Sequence, residues 1–224
     1  EASNRVTEQT FYRPNPLSGV EAPKPSGYDT DTSNHTVVRL NYTDPARRIG
    51  PGILLKVMVT DTVDIRTDVF YKSVGQNNNN SHIVSEMITG LIAAFGGNSG
   101  ALDPTGKYTI GQRNGTSFTS SGYPSIDNLK NSDPNTNAGK PKAYMNWLLF
   151  DEQFNIVNSS SGTRQVNSSA DVKGTMAELG KIMNTNGYLY VYLSNESPMD
   201  VFFDNFQVTH RRGRVLEETH YYPF

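Results

Sequence analysis

The chain contains no cysteine. Disulfide staples, thiol nucleophiles and thiolate metal sites are therefore excluded. Charge is scarce too: 19% of the residues are charged and the formal net charge is −2. That leaves no basic field with which to hold nucleic acid, and the one basic cluster, Arg211, Arg212 and Arg214, reads as a solvated strand end. No apolar run approaches the ~20 residues that a membrane-spanning helix needs. The longest candidate, residues 83–95, is interrupted by Ser85, Glu86, Thr89 and Gly90. Tryptophan occurs once, at Trp147. The first residue is Glu1, without a signal-peptide pattern behind it, and the last, Phe224, follows directly on an apparent strand, Thr219-His220-Tyr221-Tyr222. The chain reads as a fragment of something longer.

Asparagine, serine, threonine and glycine fill the space left by charge and by a lean 35% hydrophobic fraction. That balance favours a β-rich core with long uncharged loops over a helical bundle, which draws on Ala, Leu, Glu and Lys. Residues 1–35 are rich in Pro, Ser, Thr and Asn, as in Arg13-Pro14-Asn15-Pro16 and Ala22-Pro23-Lys24-Pro25, and are expected to be an irregular segment or linker. Residues 36–42 read as a first strand, with turns at Asp44-Pro45 and Gly50-Pro51-Gly52. Ile53, Leu55, Val57 and Val59 share one parity with Lys56 on the other, and Val63, Ile65, Thr67, Val69 and Tyr71 alternate with Asp64, Arg66 and Asp68. Two period-two runs separated by Asp61-Thr62 predict an antiparallel hairpin. One helix is expected over residues 82–95, capped by Ser81 and stopped by Gly96-Gly97, with Val84, Ile88, Ile92 and Phe95 on one face. Residues 96–139 read as a long loop, either mobile or a functional lip, with the mobile reading preferred.

Residues 143–150 form the next expected strand, with Trp147 sharing a face with Met145 and Leu149, and a short return strand is expected at residues 154–157. Residues 175–183 fit helix or strand; the strand is preferred, because Asn184-Thr185-Asn186-Gly187 resembles a hairpin turn into residues 188–193. In that run Tyr188, Tyr190 and Tyr192 share one face and Leu189, Val191 and Leu193 the other. Val201 and Phe203 then have odd parity, but Phe206 and Val208 have even parity. A strand with one buried face cannot switch parity without an extra residue, so a β-bulge is predicted at Asp204-Asn205. Many strands, one helix and polar loops predict an all-β antiparallel sandwich of jelly-roll type with one inserted helix.

Candidate chemistry is sparse. The histidines, His35, His82, His210 and His220, have no HxH or HExxH partner and read as surface or strand residues. No nucleophile elbow, P-loop or dinucleotide fingerprint occurs. Asp151-Glu152 and Glu217-Glu218 are adjacent carboxylates, which a strand points to opposite faces, so neither makes a hydrolytic pair by itself. Asp204 at the predicted bulge offers a hard oxygen ligand, and a structural Ca²⁺ is the one cofactor it suggests; the alternative is that Asp204 bonds backbone groups the bulge leaves unpaired. Trp147, Tyr190 and Tyr192 could form a sugar-stacking surface, or could simply pack the core. Asn-x-Ser/Thr triplets start at Asn34, Asn41, Asn114, Asn158 and Asn167; they would accept glycans in a eukaryotic secretory pathway.

Two stretches carry a family resemblance. Gly187-Tyr188-Leu189-Tyr190-Val191-Tyr192-Leu193-Ser194-Asn195-Glu196-Ser197, followed by Asp200-Val201-Phe202-Phe203-Asp204-Asn205-Phe206-Gln207-Val208-Thr209-His210, resembles a segment of large RHS/YD-repeat proteins of Bacteroidetes bacteria. Leu216-Glu217-Glu218-Thr219-His220-Tyr221-Tyr222-Pro223-Phe224 resembles the lead into their RHS-associated core. The resemblance implies a secreted or surface-exposed parent whose repeats form a β-shell. The domain plan it suggests is an N-terminal linker at residues 1–35, a β-sandwich at residues 36–210 and the start of the RHS-associated strand region at residues 211–224. The strand Val201-Phe202-Phe203-Asp204-Asn205-Phe206 is also similar to the closing strand of galactose-binding-like jelly rolls, some of which hold Ca²⁺ nearby; here Asn205 stands at the second acidic position. The functional expectation is a non-catalytic structural or interaction module whose partner is the rest of the parent RHS protein. A carbohydrate-binding module is the alternative, and fold analogy alone does not decide it. Neither nucleic-acid binding nor a membrane span is expected.

Overall fold

Alternation of apolar and polar residues in short runs, with glycine and asparagine between them, leaves strands as the only regular element able to bury this chain's apolar side chains. The computed structural model describes residues 20–30, 35–73, 139–153 and 155–213. In these residues nine strands form: β1 (Glu21–Pro23), β2 (Thr36–Leu40), β3 (Ile49–Val57), β4 (Thr62–Tyr71), β5 (Ala143–Asp151), β6 (Gly162–Gln165), β7 (Gly174–Ile182), β8 (Gly187–Asn195) and β9 (Val201–Arg211). They build two antiparallel sheets. One has the order β1-β2-β9-β4-β7 and the other β3-β8-β5-β6. The expected all-β antiparallel sandwich is what forms. The helix expected over residues 82–95 and all but the last residue of the loop expected over residues 96–139 lie outside the described residues.

The pairing is nested. β2 lies beside β9, β3 beside β8, β4 beside β7 and β5 beside β6. A chain wound this way crosses from sheet to sheet at nearly every connection. That corrects the two hairpins expected from sequence. β3 and β4 belong to different sheets, as do β7 and β8. Each connection has tight-turn residues: Thr60 adopts φ 72° and the Asp61 carboxylate accepts the Met58 N–H at 2.9 Å. Short turns and alternation identify strands, but either a hairpin or a step across the sandwich satisfies them.

The core lies between the sheets. Val57 of β3, Met145, Trp147 and Leu149 of β5, and Leu189, Val191 and Leu193 of β8 face Val63, Ile65 and Val69 of β4 and Val201 and Phe203 of β9. Phe206 and Val208 pack against the same core, so β9 changes parity as its sequence requires. The cause is a bulge: Arg66 pairs with Gln207 but Asp68 with Asp204, which gives β9 one extra residue. Asn205 absorbs it with φ 50°, a left-handed conformation that Asn tolerates better than most residues. Buried Thr67 closes the gap by donating its hydroxyl to the Asp204 carbonyl at 2.9 Å.

Three further segments differ from the sequence reading. The described part of the expected N-terminal linker is not all irregular: Glu21–Pro23 pairs with β2, Val20 is buried in the core, and Tyr28 packs on Phe70 and Phe202. Pro23 is tolerated because β1 is an edge strand. Gly50-Pro51-Gly52 lies inside β3, where the register shifts between Ile49 and Gly52, so the turn signal marks a bulge on another edge strand. The return strand expected at residues 154–157 is a single bridge, Phe150 to Ile156. β6 carries no apolar run in Gly162-Thr163-Arg164-Gln165 and had no sequence signal.

Candidate functional site

The proposed aromatic platform does not assemble on one surface. Register decides this: Trp147 lies opposite Val191, whereas Tyr192 lies opposite Asn146 and Tyr190 opposite Leu148. Adjacent residues in a strand point to opposite faces, so Trp147 enters the inter-sheet core and the two tyrosines take the other face. Trp147 is 3% exposed, Tyr190 0% and Tyr192 3%. The tyrosine rings stack on each other at 4.9 Å and 18°. Tyr190 leans across Gly52, where an added Cβ would stand 2.9 Å from its hydroxyl. Burial pushes both phenols well above their ordinary pKa. None of the three rings presents a face on which a sugar could stack.

The face that carries Tyr190 and Tyr192 also carries Tyr144, Asn146, Leu148 and Phe150, all buried. Asn146 donates to the Ser194 hydroxyl at 2.9 Å, while its own Oδ1, the Thr163 hydroxyl and the Tyr190 hydroxyl have no hydrogen-bond partner. The central strands β5 and β8 are thus withdrawn from water on both faces.

Asp204 sits where the bulge predicts, on the outer side of the five-stranded sheet. Its Oδ1 accepts the Asn205 N–H at 2.9 Å, which is the backbone group that the bulge turns aside. Around it, Asp68 accepts from Asn205 Nδ2 at 2.9 Å and from the Thr175 hydroxyl at 2.8 Å. Lys173 Nζ lies 3.3 Å from both Asp68 and Asp29, and Lys24 Nζ is 3.1 Å from Asp29. Burial would raise the Asp68 carboxyl, but the bonds from Asn205, Thr175 and Lys173 outweigh it and hold the group below its usual range. Tyr28 roofs the cluster, its phenol pushed upward by burial and by neighbouring Asp204, Asp68 and Asp29. The ammonium groups of Lys24 and Lys173 lie among these carboxylates. No group of three or more His, Asp or Glu side chains among the described residues is arranged to hold a metal ion. The cluster does tie residues 24–29 to β4, β7 and β9.

A second polar cluster escaped sequence reasoning. Asp61, buried at the β3–β4 turn, accepts the Met58 N–H at 2.9 Å and the Gly213 N–H at 2.7 Å, and His210 Nε2 lies 2.7 Å from it. Burial raises its pKa, but the two backbone donors and His210 prevail and lower it. An Asp–His pair is suggestive of acid–base chemistry, but here the carboxylate is saturated by backbone and fastens the end of β9. The Asp61-Thr62 turn signal was the only trace of it in the sequence. His35 is exposed; His82 and His220 lie outside the described residues.

Compared with protein-family models, with curated proteins and with solved structures, the chain matches none.

Proposed function

We propose that this chain is a non-catalytic structural module of a large secreted or surface-exposed RHS-repeat protein, docked against the rest of its parent. The observation that supports the structural reading is the burial of β5 and β8, the central strands of the four-stranded sheet, on both faces. β5 reads Ala-Tyr-Met-Asn-Trp-Leu-Leu-Phe with every one of these residues buried, and β8 is buried almost throughout. Near-continuous apolar strands are the signature of a sheet with both faces covered, and this burial is reached within the chain itself, so β5 and β8 form an inner layer of its own fold. We read the nested strand order as a jelly roll of the galactose-binding-like kind. The parentage rests on the resemblance carried by β8, β9 and the run from Leu216 to Phe224.

Non-catalytic function is the reading that the polar clusters favour. Asp29, Asp68 and Asp61 are committed to lysines, backbone amides and His210. A general acid or base needs a proton-transfer partner that a substrate can reach.

The test has two parts. The open reading frame that encodes this chain is expected to contain YD repeats; their absence overturns the parentage. The chain and its neighbouring YD-repeat segment, purified separately and mixed, are expected to co-elute in size-exclusion chromatography with light scattering. Independent elution of two folded proteins overturns the docked role.

A further inference from the structure

A single apolar side chain on a protein surface needs no explanation, but several together mark a contact site. Met58, Val59, Leu179 and Ile182 are all exposed, Met58 to 58% and Ile182 to 63%. Met58 and Val59 stand in the turn from β3 to β4, Ile182 ends β7, and Leu179 lies on the β7 bulge just before it. Hydrogen bonds hold these segments together. The Thr60 N–H donates to the Met183 carbonyl at 2.8 Å and the Met183 N–H to the Asp61 carbonyl at 2.8 Å. The Val59 N–H donates to Asn186 Oδ1 at 2.9 Å. The exposed side chains are therefore parts of one patch at one end of the sandwich.

β9 ends beside this patch. Thr62 of β4 pairs with Ile182 on one side and with Arg211 on the other. Two strand spacings, ~10 Å, thus separate Arg211 from Ile182. Gly213 is then drawn onto the turn itself. Its N–H donates to the Asp61 carboxylate at 2.7 Å, and a Cβ at this position would collide with Thr60. The chain leaves β9 against the turn that carries Met58 and Val59. The sequence continues Arg214-Val215-Leu216-Glu217-Glu218-Thr219-His220-Tyr221-Tyr222-Pro223-Phe224. Three residues reach at most ~10 Å, so Val215 and Leu216 can meet the patch directly. The charges match as well. Lys56 and Lys181 flank the apolar side chains and have no acidic partner among the described residues. Glu217 and Glu218 bring two carboxylates.

We propose that this patch is the docking surface for the chain's own run from Arg214 to Phe224. Val215 and Leu216 cover Met58, Val59 and Ile182, and the two glutamates face the two lysines. Gly213 is the pivot that turns the run back onto the sandwich. The inference goes beyond the structural role proposed above and does not rest on the parentage.

The chain has no cysteine, so Thr219→Cys in the full chain carries a nitroxide label at one place only. In NMR spectra of this isotopically labelled protein, the signals of Met58, Val59 and Ile182 are expected to lose more than half their intensity. Val172 follows Asp171, whose N–H donates to the Tyr71 carbonyl at the opposite end of β4, and is expected to keep its signal. Tethering at Gly213 also brings the label near, so the deciding comparison adds Val215→Ser and Leu216→Ser, which are expected to at least halve the loss. Ile182→Ser, at an exposed side chain, is a second variant with the same expected effect at Met58 and Val59. Unchanged Trp147 emission shows the fold intact in each. Equal broadening with and without these substitutions overturns the proposal, as does equal broadening at Val172. Broadening of the patch by separate nitroxide-bearing chains mixed with isotopically labelled ones also overturns it, in favour of a second copy.

Discussion

Asn195 ends β8 and is fully buried. Its Nδ2 donates to the Leu40 carbonyl at 2.9 Å and to the Met199 carbonyl at 2.8 Å, while its Oδ1 accepts the Ser197 N–H at 2.8 Å. One amide thus satisfies three backbone groups where the chain steps from β8 to β9 beside the end of β2. Asn195→Ala leaves them unpaired and is expected to cost more than ~2 kcal/mol, read as a lowered urea midpoint with an unchanged slope. Asn205 makes a different prediction. Its φ of 50° excludes β-branched residues, so Asn205→Val is expected to cost about 1–3 kcal/mol from backbone strain. Asn205→Gly relieves φ and is expected to cost less, losing chiefly the bond to Asp68. Asp61 sets a pH dependence. Its folded pKa is held below the ordinary value, so its contribution is present above about pH 4, the unfolded carboxylate range, and fades as pH falls through the folded value. The gap in thermal midpoint between the native chain and Asp61→Asn is therefore expected to be widest at neutral pH and to close in acid. At this scale the bulge was legible, because Phe203 and Phe206 cannot both reach one core without it. The tyrosine and tryptophan faces were not, because parity within a strand is readable while register between strands is set by packing. Asp61 was invisible for a related reason: its partners Gly213 and His210 are some 150 positions away.

Elements were legible as strands and illegible as pairs. β4 alternates cleanly, and its buried residues Val63, Ile65, Thr67 and Val69 follow that alternation. Nothing in β4 says that its neighbours are β7 and β9, and the turn at its one expected hairpin end serves a crossing equally well. β6 left no mark because an edge strand of four polar and small residues needs no apolar face. Gly187 shows how tightly the elements are pressed together. It starts β8 opposite Asp151, and an added Cβ would fall 1.9 Å from the Phe150 carbonyl oxygen. Backbone cannot yield as a side-chain tip can, so Gly187→Ala is expected to cost ~1–3 kcal/mol or more by overpacking, measured by chemical denaturation. Gly180, with nothing within 4 Å of an added Cβ but φ of 66°, is expected to resist substitution for its backbone conformation alone.

The whole molecule carries a built-in reporter. Trp147 is the chain's only tryptophan and is buried between the sheets. Its emission is expected to be blue-shifted and poorly quenched by iodide in the native state, and to redden in a single transition on unfolding. Strong quenching under native conditions would contradict the inter-sheet placement. Composition made the sandwich legible at this scale, since a chain lean in charge and rich in Thr, Ser, Asn and Tyr has few other ways to form a core. Which strand lies at the centre was not, because that follows from how the chain is wound. β9, the last of the described strands, occupies the middle of the five-stranded sheet, with β2 on one side and β4 on the other. During synthesis this central strand therefore leaves the ribosome after all its described neighbours. Until residue 211 has emerged, β2 and β4 wait with bare edges, and the nascent chain presents two sticky ladders to anything nearby. A chain arrested anywhere between β4 and β9 is a substrate for chaperones and proteases.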